Sequence, residues 1–517
     1  MAQPQSPQTA YVLSPQAARQ RTSRTTQPDS PHAAYVISSQ GGRIRASRST
    51  LNSSAPPAYV LSPQAGQVFY PGTVPVVSPT HGHVQFAAQD YPRIYYPLII
   101  NPAAQTIYEK YENDWIIVAH TLVLMNVWGI PLSMGSYLEL YWNSIHHENS
   151  LEQIIGIAAV QLFGILGFTL LHGYIWTKCR AGHKILHRVG TVGVILCQWT
   201  LLRCTHWWQV FLVQGVLTGI FLGMLHVAST LAFSTYYRNR IRYVSTSCGS
   251  MGPFGALLAT LINRWMFMYE TNLKYSIWVT ASASTVSLLL SSFLLQRSKE
   301  RQPFPVQKLE YATHMFLEKA TTAFLAGYFL IWFGLFAWPV FLITATTQLM
   351  WPEYVANIQL AMLGAAWAAS WIVARPGYGF PKYGTLNLFI IASLVATASL
   401  MFMGLNFNFL FVWIASPIYG AAFGTMLTLY VRVIAVFNEG AAMRQNEPRD
   451  DPVRIAMALS LMGIAAAGGV MALAGLTELI NIDRALLVIA GLMLVGTLLL
   501  ILARALRIGK WKIAFMI

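Results

Sequence analysis

The hydrophilic stretch QRSKERQPFPVQKLEYATHMFLEK, residues Gln296–Lys319, divides the apolar part of the chain into two blocks. Apolar runs recur on both sides of it, six in each block. Each run is about 20 residues long, which is sufficient to cross a bilayer hydrocarbon core of roughly 30 Å. The stretch itself is basic, since it contains Arg297, Lys299, Arg301 and Lys308. It therefore predicts a connector between two blocks of six membrane-spanning helices.

Each apolar run is bounded by charged residues, Pro or Gly, and we number the runs as spans 1 to 12 in chain order. The first six spans are Trp115–Trp142, Leu151–Thr177, Ile185–Leu202, Gln209–Phe233, Val244–Met268 and Tyr275–Leu295. The last six are Ala320–Leu349, Tyr354–Phe380, Gly384–Gly404, Phe409–Phe437, Val453–Leu479 and Ala485–Leu506. All twelve predict α-helices, because a lipid-exposed segment must satisfy its backbone hydrogen bonds internally.

The composition excludes a set of soluble domains. Of the 517 residues, 55% are hydrophobic and 10% are charged, and the mean hydropathy is +0.48. A soluble domain carries roughly 25% charged residues, so most of this chain is expected to avoid water. The net charge of +15 does not indicate nucleic acid binding, because the cations lie in short loops rather than on one basic stripe. The sequence predicts a multi-pass membrane protein whose main partner is the lipid bilayer.

The loop charges predict the orientation of the spans. One set of loops carries most of the Lys and Arg residues, within 178–188, 238–242, 297–308, 382, 444–449 and 504–512. The opposite set holds little beyond Arg203, Lys274 and Arg484. Because positive loops stay on the cytoplasmic side, both termini and the connector are expected to be cytoplasmic. The expected location is the plasma membrane, with the vacuolar or another internal membrane as the alternative.

Five stretches, taken in order, resemble one known family. The stretch NDWIIVAHTLVLMNVWGIPLSMGSYLELYW (113–142) is similar to the first helix of that family. The longer GVLTGIFLGMLHVASTLAFSTYYRNRIRYVSTSCGSMGPFG (215–255) resembles its fourth and fifth helices, and WIVARPGYGFPKYGTLN (371–387) its eighth. SPIYGAAFGTMLTLY (416–430) and PVRIAMALSLMGIAAAGG (452–469) resemble the tenth and eleventh. From about residue 114 to residue 506, the chain resembles the fungal branch of the monocarboxylate transporter family, within the major facilitator superfamily.

This resemblance implies a fold and an activity. The fold is expected to be all-α, with twelve transmembrane helices in two six-helix halves, 111–296 and 320–507, joined by the connector 297–319. Residues 508–517 are expected to form a cytoplasmic C-terminus. The implied activity is secondary active transport of a small, monocarboxylate-like organic anion by alternating access of the two halves. Two alternatives stay open, namely a transporter-derived nutrient sensor or scaffold without translocation, and an efflux carrier for a larger metabolite.

Arg375 is the most informative single residue. The resemblance places it where the family's arginine pairs with a substrate carboxylate, and a guanidinium suits that task because its planar fork binds a carboxylate bidentately. A charge inside the membrane is expensive and is therefore a functional candidate. Pro376 follows it and is expected to interrupt the helix. The alternative is that Arg375 lies near the cytoplasmic helix end and extends its charge to the membrane surface.

The chain departs from the family at its ionisable positions. Trp371 stands where the family has an aspartate, and Leu132 stands where it has a lysine. Proton coupling through that pair is not expected, so a proton is a second partner only if another group, such as His120 or His226, titrates instead. In the loops after spans 2 and 8, Thr177 and Pro381 replace the superfamily's acids. Lys178 and Lys382 follow them, and these two lysines are predicted to act in gating.

Other polar residues within the spans are candidates for the substrate site. His120 and Asn126 in span 1, Gln161 in span 2 and His226 in span 4 are predicted to line the central cavity, and the alternative for each is a hydrogen bond to a neighbouring helix. Asp114, Trp115 and Pro131 are predicted to act in conformational change, since an acid suits the positive end of a helix and Pro bends one.

An enzyme is not expected. His183 and His187, and the pair His146–His147, look like fragments of the histidine boxes of membrane di-iron oxygenases. Such a site needs a larger set of histidines on one side of the membrane, whereas these two groups fall on opposite sides in the predicted topology. The sequence therefore predicts no metal site and no cofactor.

Residues 1–110 contain three copies of one motif, AYVLSPQA at Ala10–Ala17, AYVISSQG at Ala34–Gly41 and AYVLSPQA at Ala58–Ala65. The region is rich in Pro, Ser, Gln and Thr, a composition that predicts a disordered cytoplasmic tail. Ser-Pro pairs occur in two of the copies, so a kinase or a trafficking adaptor is an expected partner of the tail. A neutral duplicated tail is the alternative.

Overall fold

The computed structural model describes residues 60–61, 68–69, 73–77, 84–88, 107–137, 141, 150–178, 182–236, 241–269, 273–296, 318–347, 352–375, 384–445 and 451–508. The chain divides into two compact units, Met1–Ala104 and Gln105–Ile517.

The described part of the first unit consists of four short strands. Strand β1 (Val60–Leu61) pairs antiparallel with β2 (Val68–Phe69), and β3 (Thr73–Val77) pairs antiparallel with β4 (Val84–Ala88). The sequence analysis predicted no strands here, and two-stranded sheets of this size are marginally stable by themselves. Strand β1 lies in the third copy of the repeat. The other two copies fall outside the described residues, so the predicted disorder of the tail stays a prediction.

The second unit is helical, and the first half of its spans contains several interrupted helices. Span 1 is Ile107–Leu132 with a further helical turn to residue 137, and span 2 is the pair Leu151–Leu166 and Thr169–Lys178. Span 3 is Gly182–Thr200 with a 3-10 turn Leu201–Arg203. Span 4 is Trp207–Val210, a π-helix Phe211–Leu217 and Thr218–Tyr236. Span 5 is the pair Ile241–Gly249 and Met251–Tyr269, and span 6 is Leu273–Gln296.

The second half has longer and more regular helices. Its helices are Lys319–Leu335 and Ala337–Thr347 (span 7), Pro352–Ala374 (span 8), Thr385–Leu405 (span 9), Phe409–Gln445 (span 10), Asp451–Ile480 (span 11) and Ile482–Ile508 (span 12). Within the described residues, eleven helices are long and apolar enough to cross a membrane. They correspond to all the predicted spans except span 5.

The helix of span 5 is interrupted at Ser250, whereas the sequence predicted one continuous helix. The backbone N–H of Ser250 still bonds to the carbonyl of Thr246 at 3.0 Å, and its hydroxyl donates to the carbonyl of Ser247 at 2.7 Å. Three residues further, Pro253 has no N–H to donate to the carbonyl of Gly249, and a proline ring disturbs the preceding turn of a helix. The apolar pattern identified this segment, but it did not predict the break.

The π-helix in span 4 adds one residue to a single turn. At its end, Thr218 donates its hydroxyl to the carbonyl of Val213 at 2.7 Å, five residues earlier, and its N–H also reaches that carbonyl. Beyond it, Gly219 packs against the backbone of span 2. A β-carbon on Gly219 would lie 2.9 Å from the carbonyl oxygen of Gln161. Small residues at such a contact let two helices approach within the membrane.

One ion pair joins three spans at one end of the second half. Arg507, at the end of span 12, pairs with Glu318 at the start of span 7. A second guanidinium nitrogen, Nη2, donates to the carbonyl of Phe437 in span 10 at 2.9 Å. The guanidinium also lies 4.7 Å from the centre of the Phe437 ring. This arrangement fixes the ends of spans 7, 10 and 12 together.

Replacement of Arg507 by Gln is expected to destabilise the protein by about 2 kcal/mol. Breaking a fully buried ion pair costs about 3–5 kcal/mol, but Glu318 is 31% exposed, so its charge is partly solvated and the expected cost falls below that range. The measurement is the midpoint of thermal unfolding in detergent, with the exposed Arg484→Gln as the matched control. Equal midpoints for the two variants would show that the ion pair does not stabilise this end of the bundle.

Candidate substrate site between the two halves

Aromatic rings from both halves meet near the middle of the spans. Trp128 of span 1 stacks on Phe336 at the junction between the two helices of span 7, with ring centres 5.6 Å apart and planes 17° apart. The Trp128 ring also meets the edges of two further rings, Tyr430 of span 10 at 5.7 Å and His226 of span 4 at 5.9 Å. Spans 1, 4, 7 and 10 therefore converge on Trp128.

A direct hydrogen bond links the halves beside these rings. Nε2 of His226 and the hydroxyl of Tyr430 are 2.6 Å apart, and the two rings are nearly parallel. The carbonyl of Tyr430 accepts a hydrogen bond of 2.9 Å from the hydroxyl of Tyr328 in span 7. These two hydrogen bonds connect span 4 to span 10 and span 10 to span 7 within the group of rings.

Trp332 completes the group from the side of span 7. Its ring centre lies 5.4 Å from that of Phe336, 5.8 Å from that of Tyr430 and 5.9 Å from that of Tyr328. All six side chains are buried, with at most 2% of any residue exposed. We call them the aromatic cluster, which consists of Trp128, His226, Tyr328, Trp332, Phe336 and Tyr430.

Three polar atoms of the cluster form no hydrogen bond of ordinary geometry among the described residues, although the indole N–H of Trp128 faces the hydroxyl of Tyr430 and that of Trp332 faces the hydroxyl of Tyr328. They are Nε1 of Trp128, Nε1 of Trp332 and Nδ1 of His226. A buried donor without an acceptor costs free energy, and in native proteins such atoms call for a specific explanation. The cluster therefore offers hydrogen-bonding capacity that its own side chains do not use.

The cluster carries no formal charge from Asp, Glu, Lys or Arg. Within the described part of the chain, the buried side chains with such a charge are Arg454, Arg504 and Arg507. These three lie in the first turn of span 11 and the last turns of span 12. The six members of the cluster consequently include no carboxylate, ammonium or guanidinium group, and the half-buried Arg432 lies two residues beyond Tyr430 in span 10.

A second contact between the halves joins span 2 to span 11. The backbone N–H of Leu170 donates to the hydroxyl of Ser460 at 2.9 Å. Close by, a β-carbon on Gly463 would overlap the backbone of Gly167. The two halves touch through their backbones at this place.

The comparisons with known proteins place this arrangement in a family. The sequence model of the Major Facilitator Superfamily matches residues 116–442, which is more than half of the chain. This chain belongs to the major facilitator superfamily. It is a multi-pass integral membrane protein with the transport function of that superfamily.

Similar proteins with curated descriptions come from fungi. MFS-type transporter eupM of Phoma sp is 28% identical over 197 residues, which cover 38% of this chain and 68% of that protein. Agnestins efflux protein AgnL12 of Paecilomyces divaricatus is 24% identical over 284 residues, 54% of this chain and 63% of that protein. Fujikurins efflux protein of Gibberella fujikuroi is 26% identical over 267 residues, 50% of this chain and 55% of that protein.

Solved structures of the major facilitator superfamily share the fold. The human organic anion transporter MFSD10 has a TM-score of 0.55 and 14% sequence identity, covering 77% of this chain and all of that one. The nucleoside transporter NupG has the same TM-score and identity, covering 76% of this chain and 99% of that one. At this identity the likeness shows the fold alone. The finer resemblance to monocarboxylate transporters stays a prediction.

Arg375 is not part of the aromatic cluster. It is an exposed residue directly after the last helical residue of span 8, and its guanidinium lies 4.1 Å from the centre of the Trp371 ring on the same helix. This is the placement that the alternative in the sequence analysis described, a cation at the end of a helix. The predicted contact of Arg375 with a substrate carboxylate is untested by this placement and stays a prediction.

The four other predicted binding residues are buried but not gathered in one place. His226 belongs to the aromatic cluster, as described above. The ring of His120 is 3.1 Å, at Nδ1, from the hydroxyl of Ser229 in span 4. Asn126 donates to the hydroxyl of Ser287 in span 6 at 2.8 Å. The amide of Gln161 is buried and has no partner among the described residues.

The residues predicted to act in gating are only partly described. Trp115 is exposed at the start of span 1, and Pro131 is buried within the helix of that span. Asp114 and Lys178 lie in helices, but their side chains are outside the described residues. Pro376 and Lys382 also lie outside them, as do His146 and His147. The gating roles stay predictions.

The two positions that lack the family's charges are now located. Leu132 is buried, and its carbonyl lies 3.5 Å from Nε2 of Gln359 in span 8, so this position faces the second half. Trp371 is exposed beside Arg375. Elsewhere in the described part of the chain, no group of three or more His, Cys, Asp or Glu side chains is arranged to hold a metal ion.

A groove of about 500 Å³ lies among spans 2, 4 and 11, away from the aromatic cluster. Trp207 and Phe211 stack along it at 5.1 Å, and the indole N–H of Trp207 donates to the carbonyl of Gln153 at 3.2 Å. Its lining includes Glu152 and Met471 but no member of the aromatic cluster. The groove is thus separate from the centre of the interface.

Sequence reasoning missed most of the aromatic cluster. It selected polar side chains inside apolar spans, which identified His226 alone among the six members. Aromatic residues make up 13% of the chain, so a tryptophan in a span is not a distinctive signal. Only the packing of spans 1, 4, 7 and 10 brings the rings together.

Proposed function

We propose that this protein is a secondary transporter that exports an organic metabolite larger than a simple monocarboxylate, by alternating access of its two halves. The observation that carries the proposal is the buried aromatic cluster, to which spans 1 and 4 of one half and spans 7 and 10 of the other contribute. In transporters built from two repeats, the substrate binds near the membrane midplane between the repeats. A site made by both halves changes its shape when the halves move against each other.

Export is proposed rather than uptake because two of the fungal relatives are described as efflux proteins. The neutral centre also favours a metabolite other than a small carboxylate. An anion at this centre would have no cationic partner in the cluster, and an unpaired charge in the membrane interior costs at least several kcal/mol. The efflux alternative of the sequence analysis is therefore preferred to the small organic anion.

The proposal is tested by comparing a fungal strain that lacks the gene with the same strain carrying it. Mass spectrometry of the medium and of washed cells measures how each metabolite is divided between them. The expected result is at least one metabolite whose ratio of medium to cells rises severalfold with the protein present. A sensor or scaffold would leave every ratio unchanged, and that result would overturn the proposal.

Arg375→Ala is expected to leave export within about twofold of the wild type, because an exposed cation at a helix end contributes little to a central site. The same ratio of medium to cells measures the effect, at matched protein abundance in the membrane. The exposed Arg203→Ala is the control for loss of a surface charge. A selective loss of export in Arg375→Ala would instead support the carboxylate contact that the family resemblance implies.

A further inference from the structure

We propose that the aromatic cluster binds an uncharged, planar aromatic substrate that carries hydrogen-bond-accepting oxygens. This inference rests on the proposed function, since it names the substrate class for the same site. It follows from three properties of the cluster, namely its rings, its unused donors and its lack of charged side chains.

The rings determine the shape and the polarity of the ligand. Trp128 and Phe336 are stacked, while Tyr430 and His226 present their rings nearly perpendicular to the Trp128 ring. Contacts between aromatic rings are more favourable than burial of the same area alone. When the halves move, the stack between Trp128 and Phe336 must loosen, because the two rings belong to different halves. A planar aromatic ligand replaces the lost ring contacts on both sides, which an aliphatic acid does not.

The unused donors determine the polar groups of the ligand. Indole nitrogens donate and do not accept, so Nε1 of Trp128 and of Trp332 both require an acceptor. When Tyr430 donates its hydroxyl proton to Nε2 of His226, the proton of the neutral imidazole lies on Nδ1, which becomes a third donor. The two indole groups face the hydroxyls of Tyr430 and Tyr328 without forming a hydrogen bond of ordinary geometry, and Nδ1 of His226 has no partner among the described residues. Carbonyl, ether or phenolic oxygens on the ligand would satisfy them.

The lack of charged side chains excludes ionic ligands of either sign. An anion would meet donors but no cation, and burial of an unpaired charge is costly. An organic cation is attracted to aromatic faces, but here it would meet two indole N–H groups and no carboxylate. The imidazole of His226 bonds to the hydroxyl of Tyr430 and faces the ring of Trp128. A neutral ligand is consistent with all of these groups.

The test measures binding of four tritiated planar probes to the purified full-length protein in lipid nanodiscs. The probes are 9,10-anthraquinone, anthracene without oxygens, anthraquinone-2-sulfonate with a fixed negative charge and 10-methylacridinium with a positive one. Binding to empty nanodiscs is subtracted to remove partition into lipid. Anthraquinone is expected to bind saturably, and anthracene about 30-fold more weakly, since it forms neither of the two carbonyl hydrogen bonds, each of which contributes roughly 1 kcal/mol. Both ions are expected to bind at least about tenfold more weakly, because the cluster pairs neither charge.

Variants then assign the binding to the cluster. Trp128→Phe keeps a smaller ring but removes the N–H, so it should weaken anthraquinone binding about fivefold more than it weakens anthracene binding. Trp332→Phe is expected to act in the same direction. The comparison of two probes on one variant separates the hydrogen bond from any change in folding. Trp278→Phe, an exposed tryptophan of span 6, is the matched control and should change neither probe.

Two outcomes would overturn the inference. Tighter binding of the sulfonate or of the acridinium than of anthraquinone would show that the substrate class is wrong. Anthraquinone binding that is equal in the wild type, Trp128→Phe and Trp332→Phe would show that the cluster is not the site. Neither outcome affects the export measurement, which tests the proposed function separately. The expected binding pattern without any export would support the site and overturn the transport proposal.

Discussion

Gly469→Ala is expected to prevent correct folding of the second half. Gly469 lies in span 11, and a β-carbon there would overlap the carbonyl oxygen of Phe333 in span 7. A backbone carbonyl cannot move away as the end of a flexible side chain can, so the two helices must separate. Overpacking a tight helix contact costs about 1–3 kcal/mol or more, and this contact is expected to lie at the upper end. Fluorescence-detected size exclusion should show loss of the monodisperse protein.

The matched control is Gly491→Ala in span 12. No atom lies within 4 Å of a β-carbon at Gly491, and Ala favours a helix over Gly by roughly 1 kcal/mol. This variant should fold at least as well as the wild type. Should Gly469→Ala elute with the same profile and unfold at the same temperature as Gly491→Ala, the close approach of spans 7 and 11 would be wrong.

Gly463→Val is expected to fold and yet to lose most of its transport activity. Gly463 in span 11 touches the backbone of Gly167 in span 2, so this contact joins the two halves rather than the helices of one half. A larger side chain holds the halves apart at this point and disfavours the conformation in which they meet. A cost of about 1–3 kcal/mol reduces the population of that conformation by about fivefold to somewhat over a hundredfold. Export is therefore expected to fall by about fivefold or more.

Gly364→Ala is the control for this second prediction, because no atom lies within 4 Å of a β-carbon at that position. Export is measured as the ratio of metabolite in the medium to that in cells, at equal abundance of folded protein. If Gly463→Val exports at the rate of Gly364→Ala, then the contact of spans 2 and 11 does not have to form during the transport cycle.

Much of the fold was predictable because the membrane constrains the sequence strongly. A span requires a long apolar run with few charges. Such runs are visible in the sequence from span 1 to span 12, and they predict the helices. The interruption of span 5 was not predictable from hydropathy, because serine and proline, the residue types at Ser250 and Pro253, are both common in apolar segments. The two short sheets around β1 and β3 were also missed, because the composition of that region indicates disorder.

The candidate site was much less predictable than the fold. Arg375 attracted attention because a charge in an apolar segment is rare, but the structure places it at an exposed helix end. Trp128 was inside a stretch already selected for its resemblance to the family, and nothing in its spacing distinguished it from other tryptophans. Its importance depends on Phe336 and Tyr430, which are more than 200 positions away in the sequence. Such a site is a property of the packed halves, not of any local pattern.

The π-helix of span 4 has a consequence for how relatives should be aligned. An α-helix turns by about 100° for each residue, so deletion of one residue between Phe211 and Leu217 would rotate the start of the span relative to its end. A relative without this extra residue, aligned without a gap, could match His226 at the interface or Trp207 in the groove. It could not match both. Single-residue gaps at residues 211–217 would therefore divide the relatives into two geometric classes. Residue correspondences drawn across such a gap would hold on only one side of it.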